Sequence, residues 1–174
     1  GQAYLLSLRG FETHKPLISD KMPLNFRWIG FILSVLPEAK IIHVQRDAKA
    51  TCWSIFKQYF WDAGNGYAYD MKDLCEYYKM YRDLMGFWHS KYPGKIYDLN
   101  YERLTEDQET ETRKLISYLN LNWEDKCLDF HKNKRSVKTA SNVQVREKMY
   151  TGSSQKWRHY EPYLAEMLRG LERC

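Results

Sequence analysis

The chain has 174 residues, 44% hydrophobic and 28% charged, with 27 Lys and Arg against 22 Asp and Glu and a formal net charge of +5. That is enough for one α/β domain with its own core, short for two, and it excludes an intrinsically disordered chain. No apolar run reaches membrane-spanning length and no signal-peptide pattern opens the chain, so no membrane partner is expected, and the modest positive charge suits an anionic ligand as well as nucleic acid.

In chain order, residues 3–9 read as the end of a helix stopped by Gly10, and 16–19 as a short strand leading to Asp20 and Lys21. Pro23 takes the first turn of a helix over 24–36, apolar but too short to span a bilayer, and therefore a core helix. The β-branched run Ile41, Ile42 and Val44 predicts an interior strand of a parallel sheet over 40–45. A helix over 49–61 follows, with Ile55, Phe56, Tyr59 and Phe60 as its apolar stripe. Residues 62–70 are a loop by their Gly and Asn content, and a long helix over 71–92 ends at Pro93-Gly94. A strand over 95–101, a helix over 106–120 and a shorter helix from Trp123 come next. Residues 132–159 are basic, rich in Ser, Thr and Asn, and weakly periodic, and an amphipathic helix covers 161–172. The alternation β-α-β-α predicts a parallel sheet in one α/β domain over 1–174.

Cys52, Cys75, Cys127 and Cys174 form no CxxC pair, and His14, His43, His89, His131 and His159 form no pair at metal-ligand spacing, so no metal is expected. Scattered thiols suit a reducing compartment, here the cytoplasm. His43, inside a strand, reads as structural, and His14 as a weak general-base candidate. The 14 Tyr and 6 Trp could stack on nucleic-acid bases. Most fall at helical spacing, as in Tyr77, Tyr78, Tyr81, Leu84, Met85 and Trp88, which favours a core, so no nucleic-acid partner is expected.

The strongest chemical signal is Arg46 with Ser54. Arg46 ends the strand 40–45 and Ser54 lies about two turns into the next helix, so a guanidinium and a hydroxyl face the edge where open α/β sheets bind ligands. The competing reading is an Arg46-Asp47 surface pair beside an ordinary helical serine. Lys21 follows the strand 16–19 as Arg46 follows its own, which would aim two cations at one crevice. Tyr101 ends a third strand, where its ring can pack on a purine. Ser141, Arg146, Lys148 and Lys156 lie in a basic loop able to close over a charged ligand. Neither GxxxxGK[ST] nor GxGxxG occurs, so no ordinary phosphate-cradling loop is present.

The segments DKMPLNFRWIG (20–30), IIHVQRDAKATCWSIF (41–56), YAYDMKDL (67–74), YDLNYERL (97–104) and KTASNVQVREKMYTGSSQKWRHYEP (138–162) together resemble the sulfotransferase family, in particular bacterial members that carry tetratricopeptide repeats and are related to tyrosylprotein sulfotransferases. The resemblance implies a P-loop-like three-layer α/β fold, a parallel sheet flanked by helices. It also implies transfer of a sulfuryl group from 3′-phosphoadenosine 5′-phosphosulfate (PAPS) to a hydroxyl or amine acceptor, leaving adenosine 3′,5′-bisphosphate (PAP). On this likeness Arg46 and Ser54 match the 3′-phosphate pair and Tyr101 a residue near the adenine. Lys21 matches the catalytic lysine at the sulfate-bridging region, and Ser141 and Lys156 a serine and lysine that close over the phosphosulfate. The N-terminal strand, the PxSGTS-like phosphosulfate loop and the general-base carboxylate of such enzymes fall upstream of Lys21 and have no counterpart here. The chain is therefore expected to be a C-terminal portion of the domain, impaired in activity, with apolar surface that homodimerisation would cover. The alternatives are a non-catalytic nucleotide-binding module and an RNA-binding domain. The acceptor expected on this resemblance is a small molecule, a glycan or a protein tyrosine.

Overall fold

The computed structural model describes residues 17–60, 64–133 and 146–173. The expected helix 3–9, part of the strand expected at 16–19 and Ser141 lie outside these residues.

Pro23–Trp28 forms a 3₁₀ turn with proline at its start, running into helix α1 (Ile29–Val35). The single helix expected over 24–36 is thus two pieces, and it is amphipathic. Ile29 and Leu33 are buried whereas Trp28 and Phe31 are exposed. Strand β1 (Ile41–Gln45) leads to helix α2 (Ala48–Phe56), which starts where Asp47 Oδ1 accepts the Ala50 N–H at 2.8 Å. Helix α2 stops five residues short of the expected end. Phe60 beyond it is held by Tyr69, whose hydroxyl accepts from the Phe60 N–H and donates to the Phe60 carbonyl.

Helix α3 (Met71–Lys91) begins at Asp70, whose carboxylate accepts from the Lys72 and Asp73 N–H groups. Strand β2 (Ile96–Asn100) follows, then α4 (Tyr101–Glu106) and α5 (Gln108–Tyr118). The helix expected over 106–120 gains a start at Asp107, which caps α5 through the Thr110 N–H, while Asn100 caps α4 through the Arg103 N–H. A 3₁₀ segment covers Asp125–Lys132. Part of the expected basic loop is also regular: Gly152, at φ 84°, turns the chain into a 3₁₀ segment, Ser153–Tyr163, before helix α6 (Ala165–Leu171).

Among the described residues the sheet is the parallel pair β1–β2, with Ile41 opposite Ile96, His43 opposite Asp98 and Gln45 opposite Asn100. The strand expected at 16–19 is not formed over 17–19, where Leu17 and Ile18 are exposed. The interior position expected for β1 is only half realised: Ile42 and Val44 are 39% and 55% exposed because pairing and packing reach one side of it.

The long helix α3 spans two cores. Leu74, Cys75 and Tyr78 join Ala50, Cys52, Trp157, Leu164, Met167 and Leu171 in one. Met85 joins Ile29, Leu33 and Ile96 in the other, and Tyr81 packs against both. Residues 74, 78, 81 and 85 share one face at helical spacing, so one apolar stripe binds the β1–β2 layer to the returning C-terminal segment. Among the described residues no helix is long and apolar enough to cross a membrane, and Cys52, Cys75 and Cys127 form no disulfide.

Candidate functional site

Arg46 leaves the carboxyl end of β1, where the strand's last backbone pairing is Gln45 with Asn100. Asp47 is committed to capping α2, so it is not the partner of Arg46. The guanidinium turns instead to the 3₁₀ segment that follows Gly152. Its Nε donates to Ser154 Oγ and its Nη2 to the Ser153 carbonyl, both at 3.0 Å. It also lies over the Tyr101 ring, 5.0 Å from the centroid. The Tyr101 hydroxyl is 3.1 Å from Ser153 Oγ. Tyr101 is thus placed at the same sheet edge as Arg46, as the strand ends predict, with one ring face against the guanidinium.

Glu102 closes the network. Its Oε1 accepts the Ser154 hydroxyl at 2.5 Å and the Asp47 N–H at 3.1 Å. Burial alone would raise this carboxyl. The bonds from Ser154 and the Asp47 N–H, with the Arg46 charge nearby, outweigh it and hold Glu102 below its ordinary value. A fixed anion therefore stands beside the cation through a buried serine. Ser153, Ser154 and Glu102 are absent from the residues singled out by sequence. Their signal was the position of Glu102 immediately after Tyr101, and the Gly-Ser-Ser run after a weakly periodic stretch.

Lys156 sits two residues past Ser154 on the same segment, exposed, with Nζ 3.3 Å from the Tyr150 hydroxyl and 5.1 Å above its ring. It lines an open cleft of about 290 Å³ with Trp53, Lys57, His159 and Tyr160. Trp53 precedes Ser54 on α2 and Lys57 lies just past the end of that helix, while Ser54 itself is half-buried. The structure brings Arg46, Tyr101 and the Lys156 segment together. It does not join Ser54 to Arg46, whose hydrogen bonds go to Ser153 and Ser154. Lys21 is exposed in an irregular stretch, outside this network and without the strand end expected to carry it.

The donor set fits a multiply charged anion. Arg46 uses two of its five N–H donors on Ser153 and Ser154. Lys49, 5.1 Å above the Trp157 ring, and Lys57 and Lys156 along the cleft add positive charge on one side of α2.

A profile described as "Sulfotransferase family" matches residues 1–125. The chain is 39% identical over 173 residues, 98% of its length, to a protein of Aquifex aeolicus (strain VF5) named "Uncharacterized protein", of which it covers 23%. It is 25% identical over 116 residues, 67% of its length, to a Caenorhabditis briggsae protein named "Putative protein-tyrosine sulfotransferase", of which it covers 41%. The chain thus spans less than half the length of either relative. With the family profile matching well over half of its residues, including the β1–α2 and β2–α4 junctions that carry Arg46 and Tyr101, the chain belongs to the sulfotransferase family.

Proposed function

We propose that this chain carries the nucleotide side of a PAPS-dependent sulfotransferase acting on a hydroxyl or amine acceptor. The observation that carries the reading is Arg46 at the carboxyl end of β1, fixed against Tyr101 and the Ser153–Ser154 turn, on the segment that carries Lys156 two residues further on. The parallel β1–β2 pair with α1 and α3 packed against it accords with part of a larger three-layer, P-loop-like sheet.

PAPS, when bound, supplies the activated sulfuryl group. Arg46 and Ser54 are assigned to its 3′-phosphate, Tyr101 to the adenine side, and Lys156 with Ser141 to the phosphosulfate. Lys21 is assigned to the bridging oxygen, where its ammonium would neutralise charge growing on the leaving phosphate. Transfer of this kind resembles phosphoryl transfer in needing alignment and charge neutralisation more than covalent help from the protein. The Ser154–Glu102 bridge keeps the guanidinium oriented, which lowers the ordering cost of binding.

Isothermal titration of the 174-residue chain with PAP tests this. Binding is expected, at least tenfold weaker in Arg46→Ala and weakened also in Ser54→Ala and Lys156→Ala. No heat with PAP, together with salt-sensitive binding to single-stranded RNA, would overturn the reading.

A further inference from the structure

We propose that His43, His89 and Asp98 form a site for one divalent transition-metal ion of the zinc class. The three residues come from β1, the last turn of α3 and β2, and their potential ligand atoms all lie within 4.8 Å of one another. His43 faces Asp98 across the parallel register, with Nδ1 2.7 Å from Oδ1, and His89 Nε2 lies 3.3 Å from the same oxygen. Two imidazoles and one carboxylate suit zinc and its neighbours, whereas magnesium and calcium select all-oxygen sets. Ligand atoms bound tetrahedrally at about 2.0–2.1 Å stand roughly 3.3–3.4 Å apart. The His89–Asp98 separation already has that value. The His43–Asp98 hydrogen bond would open by roughly half an ångström, and the Gln45 amide, 3.5 Å from His43 Nδ1, would give way to the ion.

Two features distinguish this group from a surface ion pair. The His43 side chain is 10% exposed while those of His89 and Asp98 are 37% and 39% exposed, so one side is closed by protein and the other is open to water for the fourth position. His43 also has an outer partner. Its Nε2 is 2.5 Å from the Tyr81 hydroxyl, and the Tyr81 ring is held edge-on by Phe26 with centroids 5.2 Å apart. With Nδ1 on the ion, the ring proton resides on Nε2 and is donated to Tyr81 Oη, which fixes tautomer and ring orientation. The ion would tie both strands to the end of α3. Its effect is on the rigidity of the scaffold that presents Arg46, apart from the anion-binding network itself.

The test uses the full chain after chelator treatment, with Zn²⁺ and Co²⁺ as probes. One equivalent of Zn²⁺ is expected by calorimetry, with a zinc-dependent rise in melting temperature and the intense visible absorption of four-coordinate Co²⁺. His89→Ala, which removes a partly exposed ligand, is expected to stay folded by circular dichroism and to lose at least tenfold in Zn²⁺ affinity. Asp98→Asn should behave alike, and Tyr81→Phe should lose about tenfold through the outer partner alone. His159→Ala should bind as the parent does. Parent-like affinity in His89→Ala, or no Zn²⁺ binding by the parent at 100-fold excess, would overturn the proposal.

Discussion

Replacing Ser154 by alanine isolates the bridge between Arg46 and Glu102. Ser154 is the buried polar side chain of the described core, 5% exposed, and its hydroxyl accepts from Arg46 Nε at 3.0 Å while donating to Glu102 at 2.5 Å. Alanine keeps the Cβ and leaves little void, so the loss is one of hydrogen bonding. Bonds to charged groups are each worth about 1.5–3 kcal/mol net. Both charged partners are only half-buried and regain water, so the expected loss is that of a single such bond, about 2 kcal/mol. For a chain of this size the melting temperature should fall by roughly 4–8 °C. Urea unfolding at pH 7 should show a lower midpoint with an unchanged slope. PAP affinity should fall too, because Arg46 loses the contact that orients it. A stability loss below about 0.5 kcal/mol, the range of an indifferent surface change, would refute the bridge.

Glu102 is held below its ordinary value in the folded chain, so its contribution is present above the unfolded carboxyl value and is lost as pH falls through the folded one. Glu102→Gln should therefore flatten the acid limb of urea midpoints measured between pH 6 and pH 3, and curves parallel to the parent's would contradict the assignment. Leu74→Ala, at 1% exposure within the larger core, should cost about 2–5 kcal/mol, against under about 0.5 kcal/mol for Phe87→Ala at 52% exposure. Equal losses in thermal melts would mean that α3 presents another face. A Cβ on Gly170 would stand 2.7 Å from Cys75 Sγ and 2.9 Å from its Cβ, so Gly170→Ala should cost about 1–3 kcal/mol by forcing α6 off α3. Relief of part of that loss by a second change, Cys75→Gly, would identify the clash, and purely additive losses would exclude it.

Local chemistry made most elements legible. The β-branched run at 41–44, the helical spacing of the aromatic residues and the Pro93-Gly94 stop located β1, β2 and α3 to within a residue or two, because their signals are local. Ends were read less well. Asp107 stands at the second position of the helix expected over 106–120, yet as a cap it divides α5 from α4, a short helix directly after β2 that the sequence pattern does not signal. Ile42 and Val44 look like interior-strand residues, yet their exposure depends on what packs on the far side, which β-branching does not encode. At the site, Arg46 and Tyr101 were legible because strand ends converge at one sheet edge. Ser154 and Glu102 were not, since a serine buried between two charges is a tertiary fact. The same holds for His43, His89 and Asp98, which show no ligand spacing in sequence and meet only through strand register and the end of α3.

The corner proposed to bind the nucleotide is closed by segments far apart in the sequence. Arg46 reaches Ser154 across 108 positions, and the segment carrying Ser154 is anchored by Trp157, Leu164, Met167 and Leu171 in the same core as Ala50, Cys52 and Leu74. The family profile covers Arg46, Ser54 and Tyr101 but ends before Ser153, Ser154 and Lys156, whereas the likeness to the Aquifex protein runs over 173 residues. The sheet-edge half is what the family match carries, and the closing half is tied to it through packing. Orientation of Arg46 is thereby linked to the stability of the α3–α6 contact. A change such as Gly170→Ala, on a helix that contributes none of the proposed ligand contacts, should weaken PAP binding as it weakens that contact. Unchanged affinity in a measurably destabilised Gly170→Ala chain would show that the corner stands without its C-terminal closure.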